Sequence, residues 1–184
     1  MAQEITTTTL DNLMAAFNGE SNARARYIEF AKAADAEGYT QVASLFRAAA
    51  RAEEIHANNH AVVIRRMGGT PAADIQAPTV KSTAENLKAA IAGETYERDV
   101  MYPQFIAQAR AENDKAAVRT FDYALHAETE HAALYADALQ HLDAWKGGPK
   151  TFYVCPVCGK TVTEKSFDKC DVCGALQEKF ETIN

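Results

Sequence analysis

Ala52-Glu53-Glu54-Ile55-His56 and Ala127-Glu128-Thr129-Glu130-His131 are the two stretches that decide the fold. Each sets a Glu and a His three residues apart, which on a helix puts both side chains on one face. Outward from each pair that face is apolar. Around the first it reads Val42, Leu45, Ala49, Glu53, His56, His60, Val63; around the second, Ala117, Phe121, Ala124, Glu128, His131, Tyr135, Leu142. Steps of three and four mark amphipathic helices. Two more segments carry the same kind of stripe, again with Glu on it: Leu10, Leu13, Phe17, Glu20, Tyr27, Ala31, and Leu87, Ile91, Glu94, Glu97, Met101, Phe105.

Start and stop signals bound four helices. The first spans Thr9 to Glu37 and stops at Gly38, the second Thr40 to Met67 before Gly68-Gly69. The third begins at the capping-box signature Ser82-x-x-Glu85 and ends near Asn113, and the fourth runs from Asp114 to Lys146. Tight joints pair helices one with two and three with four as antiparallel hairpins. The link from Gly68 to Lys81, with Pro71 and Pro78, is long enough to cross the bundle and leave helices two and three parallel. The expected fold is an all-α four-helix bundle of the ferritin-like, one-crossover kind.

A Glu on each core-facing stripe needs an explanation, because a buried carboxylate without a partner costs several kcal/mol. A pair of metal ions supplies it, since carboxylates and imidazoles are metal ligands. Glu20 and Glu94 on helices one and three, with Glu53-x-x-His56 and Glu128-x-x-His131 on helices two and four, form the ligand pattern of di-metal carboxylate bundles. A lone Glu-x-x-His is commonplace on helix surfaces; two copies in register are not. The register comes from an internal repeat. Gly19-Glu20-Ser21 matches Gly93-Glu94-Thr95 at an offset of 74, whereas Tyr27 with Tyr102, Phe30 with Phe105, Phe46 with Phe121, Glu53 with Glu128 and His56 with His131 share an offset of 75. One extra residue inside a helix is absorbed most simply as a π-bulge. The offsets therefore predict a bulge in helix three around residues 95–101, bringing Glu97 into the site. Glu54 lies beside the stripe and reads as solvated, His126 and His141 as surface residues, and His60 as a satisfied core histidine. Tyr27 and Tyr102 read equally well as core tyrosines or as donors to the ligating carboxylates.

Lys146-Gly-Gly-Pro-Lys-Thr151 ends the helical part. The expected division is a helical domain over residues 1–146, a linker over 147–151 and a small domain over 152–184. All four cysteines lie in that last segment, as Cys155-Pro-Val-Cys158-Gly and Cys170-Asp-Val-Cys173-Gly. Two such knuckles hold one ion among four thiolates. Alone the motif favours structural zinc; attached to a di-iron bundle that must be supplied with electrons, it favours iron. Tyr153, Phe167 and Phe180 are the expected apolar core of a segment too small to fold well without its metal.

The net charge of −6, with no basic block, argues against nucleic acid as the main partner. No apolar run approaches the ~20 residues of a membrane span. The N-terminal Met-Ala-Gln-Glu-Ile-Thr-Thr lacks the basic and apolar regions of a secretory signal, so a cytoplasmic address is expected. No Gly-rich dinucleotide fingerprint is present, which makes any pyridine-nucleotide reductase a separate protein.

Together these motifs resemble the rubrerythrin family over essentially the whole chain: a ferritin-like bundle followed by a rubredoxin-like domain. The resemblance implies a non-haem di-iron peroxidase that reduces hydrogen peroxide to water and protects against oxidative stress. It implies two irons held by Glu20, Glu53, His56, Glu94, Glu97, Glu128 and His131, with Tyr27 and Tyr102 behind them, and one iron held by Cys155, Cys158, Cys170 and Cys173. Glu53 and Glu128 would bridge the irons, Glu20 and Glu97 complete one, and Glu94 and His131 the other; His56 would replace Glu97 when the site is reduced. Electrons would arrive from an external reductase or rubredoxin through the four-cysteine iron. Because a bundle of about 40 Å could hold the two sites of one chain apart, the resemblance also implies a head-to-tail homodimer that juxtaposes them across subunits, with helix swapping open to it. The alternative is a ferritin-like ferroxidase that handles iron and needs no cysteine port.

Overall fold

The computed structural model describes residues 7–184; the N-terminal stretch read above for a secretory signal lies outside the described residues as far as residue 6. Helix α1 spans Thr9–Ala36, α2 Thr40–Arg66, α3 Thr83–Tyr96, α4 Tyr102–Ala111 and α5 Lys115–Gln140. Capping boxes start α1 at Thr8/Asp11 and α3 at Ser82/Glu85. The ends interlock. The carboxylate of Glu37, just past α1, accepts from the Thr83 N–H at the start of α3, and Glu112, just past α4, accepts from the Thr9 N–H at the start of α1. Negative charge at a helix N-terminus is favourable. These caps fix α1 antiparallel to α3 and α4, so α2 and α3 run parallel, as the long crossover demands. Asn18 and Asn22 of α1 bind backbone groups of Asp74 and Gln76 and strap that crossover to the bundle.

A π-turn over Glu97–Met101 joins α3 to α4, where the offsets expect a bulge. Beyond it the apolar face is not the expected one. Tyr102, Ile106 and Ala109 are buried, while Met101 and Phe105 are only partly covered. The extra residue advances the core face by one position, and the stripe through Met101 and Phe105 had continued the α-helical step across it. The fourth helix is also shorter than expected. It ends at Gln140, and a 3₁₀ turn over Leu142–Trp145 swings Trp145 inward to stack on Phe152.

After residues 146–151, which form neither helix nor strand, β1 (Phe152–Val154) pairs antiparallel with β2 (Thr161–Val162) and β3 (Glu181–Ile183) in the order β2-β1-β3. Phe152 and Val154 bury themselves in the core of the bundle, beside Val42 and Phe46. Phe167, Phe180 and Tyr153 pack around the cysteines, joined by Tyr123 from α5. The module lies back along α2. Arg47 donates to the Asn184 carbonyl, Arg51 to both carboxylate oxygens of Glu181, and Asn59 to the Val157 carbonyl. Among the described residues no helix is long and apolar enough to cross a membrane.

Candidate metal centres

Two groups of buried ligand atoms converge at the middle of the bundle: Glu20, Glu53, His56 and Glu128, and Glu53, Glu94, Glu128 and His131. Glu53 and Glu128 belong to both. His56 Nδ1 lies 3.0 Å from Glu53 Oε2 and 3.0 Å from Glu128 Oε1, and His131 Nδ1 lies 2.9 Å from Glu128 Oε2. The Glu–His pair on each helix arises from the i, i+3 spacing, and the meeting of the two pairs from the packing of α2 on α5. Glu97 stands differently. It is half-buried at the start of the π-turn, near Glu20, Glu94 and Glu128 but outside both groups. His56 occupies the place beside Glu20 that the resemblance gives to Glu97.

The two halves of the repeat hold each other's carboxylates. Tyr27 donates to Glu94 Oε1 at 2.5 Å, and Tyr102 donates to Glu20 Oε1. His60 is buried between Thr120 Oγ1 (2.9 Å) and the Tyr102 hydroxyl (3.2 Å), a satisfied core histidine that also approaches Glu20 at 3.7 Å. Glu54 is outside, in ion pairs with Arg24 and Arg51. His126 and His141 are exposed.

Electrostatics identify this as a cation site. Burial, reinforced by neighbouring carboxylates, pushes Glu53, Glu94 and Glu97 well above the ordinary carboxyl range. Burial also raises Glu128, against the pull of His56. On Glu20 burial is outweighed by His60, His56 and Tyr102, which hold it at about 2. On His56 burial is outweighed by Glu128, Glu20 and the Cys158 carbonyl, which lift it to about 9. Burial keeps His131 below its ordinary value. Without metal the cluster must take up protons to be tolerated. Among the described residues, Glu20 Oε2 and Glu94 Oε2 are buried with no hydrogen-bond partner. Buried carboxylate oxygens left bare among imidazole nitrogens suit a pair of iron ions.

The cysteines form a second group. Cys155 Sγ lies 3.5 Å from Cys173 Sγ, and Cys158 Sγ 3.6 Å from Cys170 Sγ. A tetrahedron of 2.3 Å metal–sulfur bonds has edges of about 3.8 Å, so the sulfurs are already at the spacing for one ion. Gly159 and Gly174 take φ of +80° and +78°, the left-handed turn that closes each knuckle. The Cys158 thiol, with backbone N–H groups of the knuckle, brings Cys155 down to about 5, whereas Cys158 is pushed up and burial pushes Cys173 up to about 12. Cys155 is accommodated as a thiolate, whereas Cys158 and Cys173 await a cation.

The two centres touch. His56 Nε2 lies 3.1 Å from the Cys158 carbonyl oxygen and His131 Nε2 3.0 Å from Thr161 Oγ1. The separation within one chain that motivated an expected dimer does not arise, because the module folds back onto its own bundle. Spacing along the sequence gave no sign of Thr161; a polar line on α2 (Arg47, Arg51, Asn59), facing away from the core, was the available hint that something docks there.

The sequence model of the family described as Rubrerythrin matches residues 11–139. Nigerythrin from Nitratidesulfovibrio vulgaris is 40% identical over 173 residues, covering 94% of this chain and 85% of the relative. Rubrerythrin-2 from Clostridium acetobutylicum is 36% identical over 184 residues, covering 95% and 96%. The solved structure of nigerythrin in its fully reduced, all-ferrous state superposes with a TM-score of 0.88 at 38% identity, over 99% of this chain and 91% of that one. The bacterioferritin of Desulfovibrio desulfuricans, at 22% identity and a TM-score of 0.69 over 74% of this chain, shares the bundle fold. With its ferritin-like bundle, a carboxylate–histidine cluster for two irons and four cysteines suited to one more, the chain belongs to the rubrerythrin family.

Proposed function

We propose that the protein is a non-haem di-iron peroxidase that reduces hydrogen peroxide to two waters, taking up two electrons and two protons. The observation that carries this reading is the contact of His56 Nε2 with the Cys158 carbonyl. An iron-storage ferroxidase needs a carboxylate site but no one-electron carrier held against it. When bound, two ferrous ions supply the two electrons that cleave the O–O bond. The chain supplies the rest. Glu53 and Glu128, common to both groups, would be shared between the two ions, with Glu94 and His131 available to one and Glu20 and His56 to the other. Tyr27 and Tyr102 hold Glu94 and Glu20 in place by donating their hydroxyl protons. Glu97, half-buried at the π-turn, would be the residue that takes the place of His56 in the other oxidation state, the role the resemblance gives it.

An iron held by the four cysteines would supply one-electron chemistry fed by a separate reductase or rubredoxin, and the Cys158 carbonyl and His56 would connect it to the carboxylate site. A head-to-tail dimer, with or without exchanged helices, is compatible with this route but is not needed to create it. A reducing cytoplasm suits the four thiols. The test is steady-state peroxide consumption with an external electron donor. Cys158→Ser or Cys173→Ser should abolish donor-driven turnover while a carboxylate site saturated with ferrous ion still consumes one equivalent of peroxide. Unchanged steady-state turnover would refute the port, and peroxide-independent iron uptake as the sole activity would favour the ferroxidase.

A further inference from the structure

We propose that Thr161 is a positioning residue of the carboxylate metal centre, so that the cysteine module completes that centre structurally and its own metal raises the affinity of the other. A metal-bound histidine ordinarily donates its outer ring N–H to an acceptor, which fixes the tautomer and the ring orientation. Here both acceptors come from outside the bundle. His131 is fully buried, with Nδ1 facing Glu128 and Glu94 and Nε2 3.0 Å from Thr161 Oγ1. The Thr161 hydroxyl donates its single proton to the Gly159 carbonyl at 3.1 Å. Only its lone pair is left for His131, so Nε2 must carry the hydrogen and Nδ1 the free lone pair inside the cluster. His56 is fixed the same way by the Cys158 carbonyl, which can only accept.

Both acceptors sit on one short hairpin. Thr161 begins β2 opposite Val154, and the first knuckle is closed by Cys155 N–H donating to the Lys160 carbonyl and Gly159 N–H to the Cys155 carbonyl. Four thiolates around one ion lock that hairpin to the second knuckle. A module this small is ordered largely by its metal. Emptying the thiolate site therefore loosens both acceptors together, and linkage makes the effect reciprocal.

The inference rests on the metal-binding reading of the carboxylate cluster and not on peroxidase activity. The full chain is loaded with one equivalent of zinc, which the thiolates take first, and titrated with cobalt(II), followed by its visible absorption. Thr161→Val keeps a β-branched residue in a strand and removes only the hydroxyl. It should weaken cobalt binding by roughly 10- to 100-fold, and Thr161→Ser should restore it to within about threefold. Nitrogen-15 NMR of the zinc-loaded protein should show His131 with its hydrogen on Nε2 in the native and Ser forms and a mixed state in the Val form. Cys173→Ser, which touches neither histidine, should also weaken cobalt binding. Native-like titration of Thr161→Val, or a Ser variant as weak as the Val variant, would overturn the positioning role, and native-like titration of Cys173→Ser would overturn the coupling. If the native chain bound no cobalt beyond the thiolate site, the metal reading and this inference would fall together.

Discussion

The backbone carbonyl of Cys158 accepts from His56 Nε2 at 3.1 Å, across 102 positions of sequence, and joins a residue of the thiolate site to a residue of the carboxylate site through one hydrogen bond. The contact exists because Gly159 follows. A Cβ on Gly159 would stand 2.2 Å from His56 Nε2, and its φ of +80° is one that other residues adopt with strain. The glycine lets the knuckle both turn and approach the imidazole.

Gly159→Ala should therefore push the module off His56. The expected result is a loss of donor-driven turnover by roughly 10- to 100-fold and a stability cost of about 1–2 kcal/mol from the left-handed backbone. The iron–thiolate visible spectrum should persist, because the sulfurs are untouched. Steady-state kinetics alongside that spectrum make the check. Arg51→Ala, which removes a partly exposed ion pair to Glu181, should cost less than about 1 kcal/mol and leave turnover near native.

Glu97 and Glu54 set a proposed ligand against a surface acid. Glu97 is half-buried near Glu20, Glu94 and Glu128, whereas Glu54 pairs with Arg24 and Arg51 at the surface. Glu97→Ala should impair turnover by roughly 10-fold or more and Glu54→Ala by little. Equal effects of the two would remove Glu97 from the ligand set.

The metal-free protein should lose stability as the pH rises. His56 holds its proton up to about 9 in the fold against an ordinary value of 6.5. Its contribution is complete below pH 6.5 and disappears as the pH climbs through 9. Glu53, Glu94 and Glu97, also raised in the fold, act with the same sign. Bound metal replaces these protons and removes the dependence. Calorimetry should show the chelated form melting several degrees lower (about 4–8 °C) at pH 9 than at pH 6.5, with the metal-loaded form flat across that window. A chelated form that gains stability toward pH 9 would contradict the protonated cluster.

Much of this is legible in the sequence. The spacing of Glu53 with His56 and Glu128 with His131 fixes which face of α2 meets which face of α5, and the change of offset between Glu94 and Tyr102 locates the π-turn. What followed the turn was less so. Met101 and Phe105 continue an α-helical step that the π-turn breaks, and the core takes Tyr102 and Ile106 instead. Glu97 could be singled out as extra but not as standing back from the cluster, because side-chain position within a site depends on rotamer and neighbours, not on period. The return of the module along α2 was invisible. A single Thr161 in a two-residue strand carries no periodicity, and its partner His131 is reached only through the tertiary fold.

The most direct measurement is the iron content of the reconstituted protein, with Mössbauer spectroscopy to divide it by ligand type. The account predicts one iron in a thiolate environment and two, magnetically coupled, in an oxygen–nitrogen environment, the two groups that share Glu53 and Glu128. A folded protein with its thiolate iron in place and no metal among those buried carboxylates would contradict it.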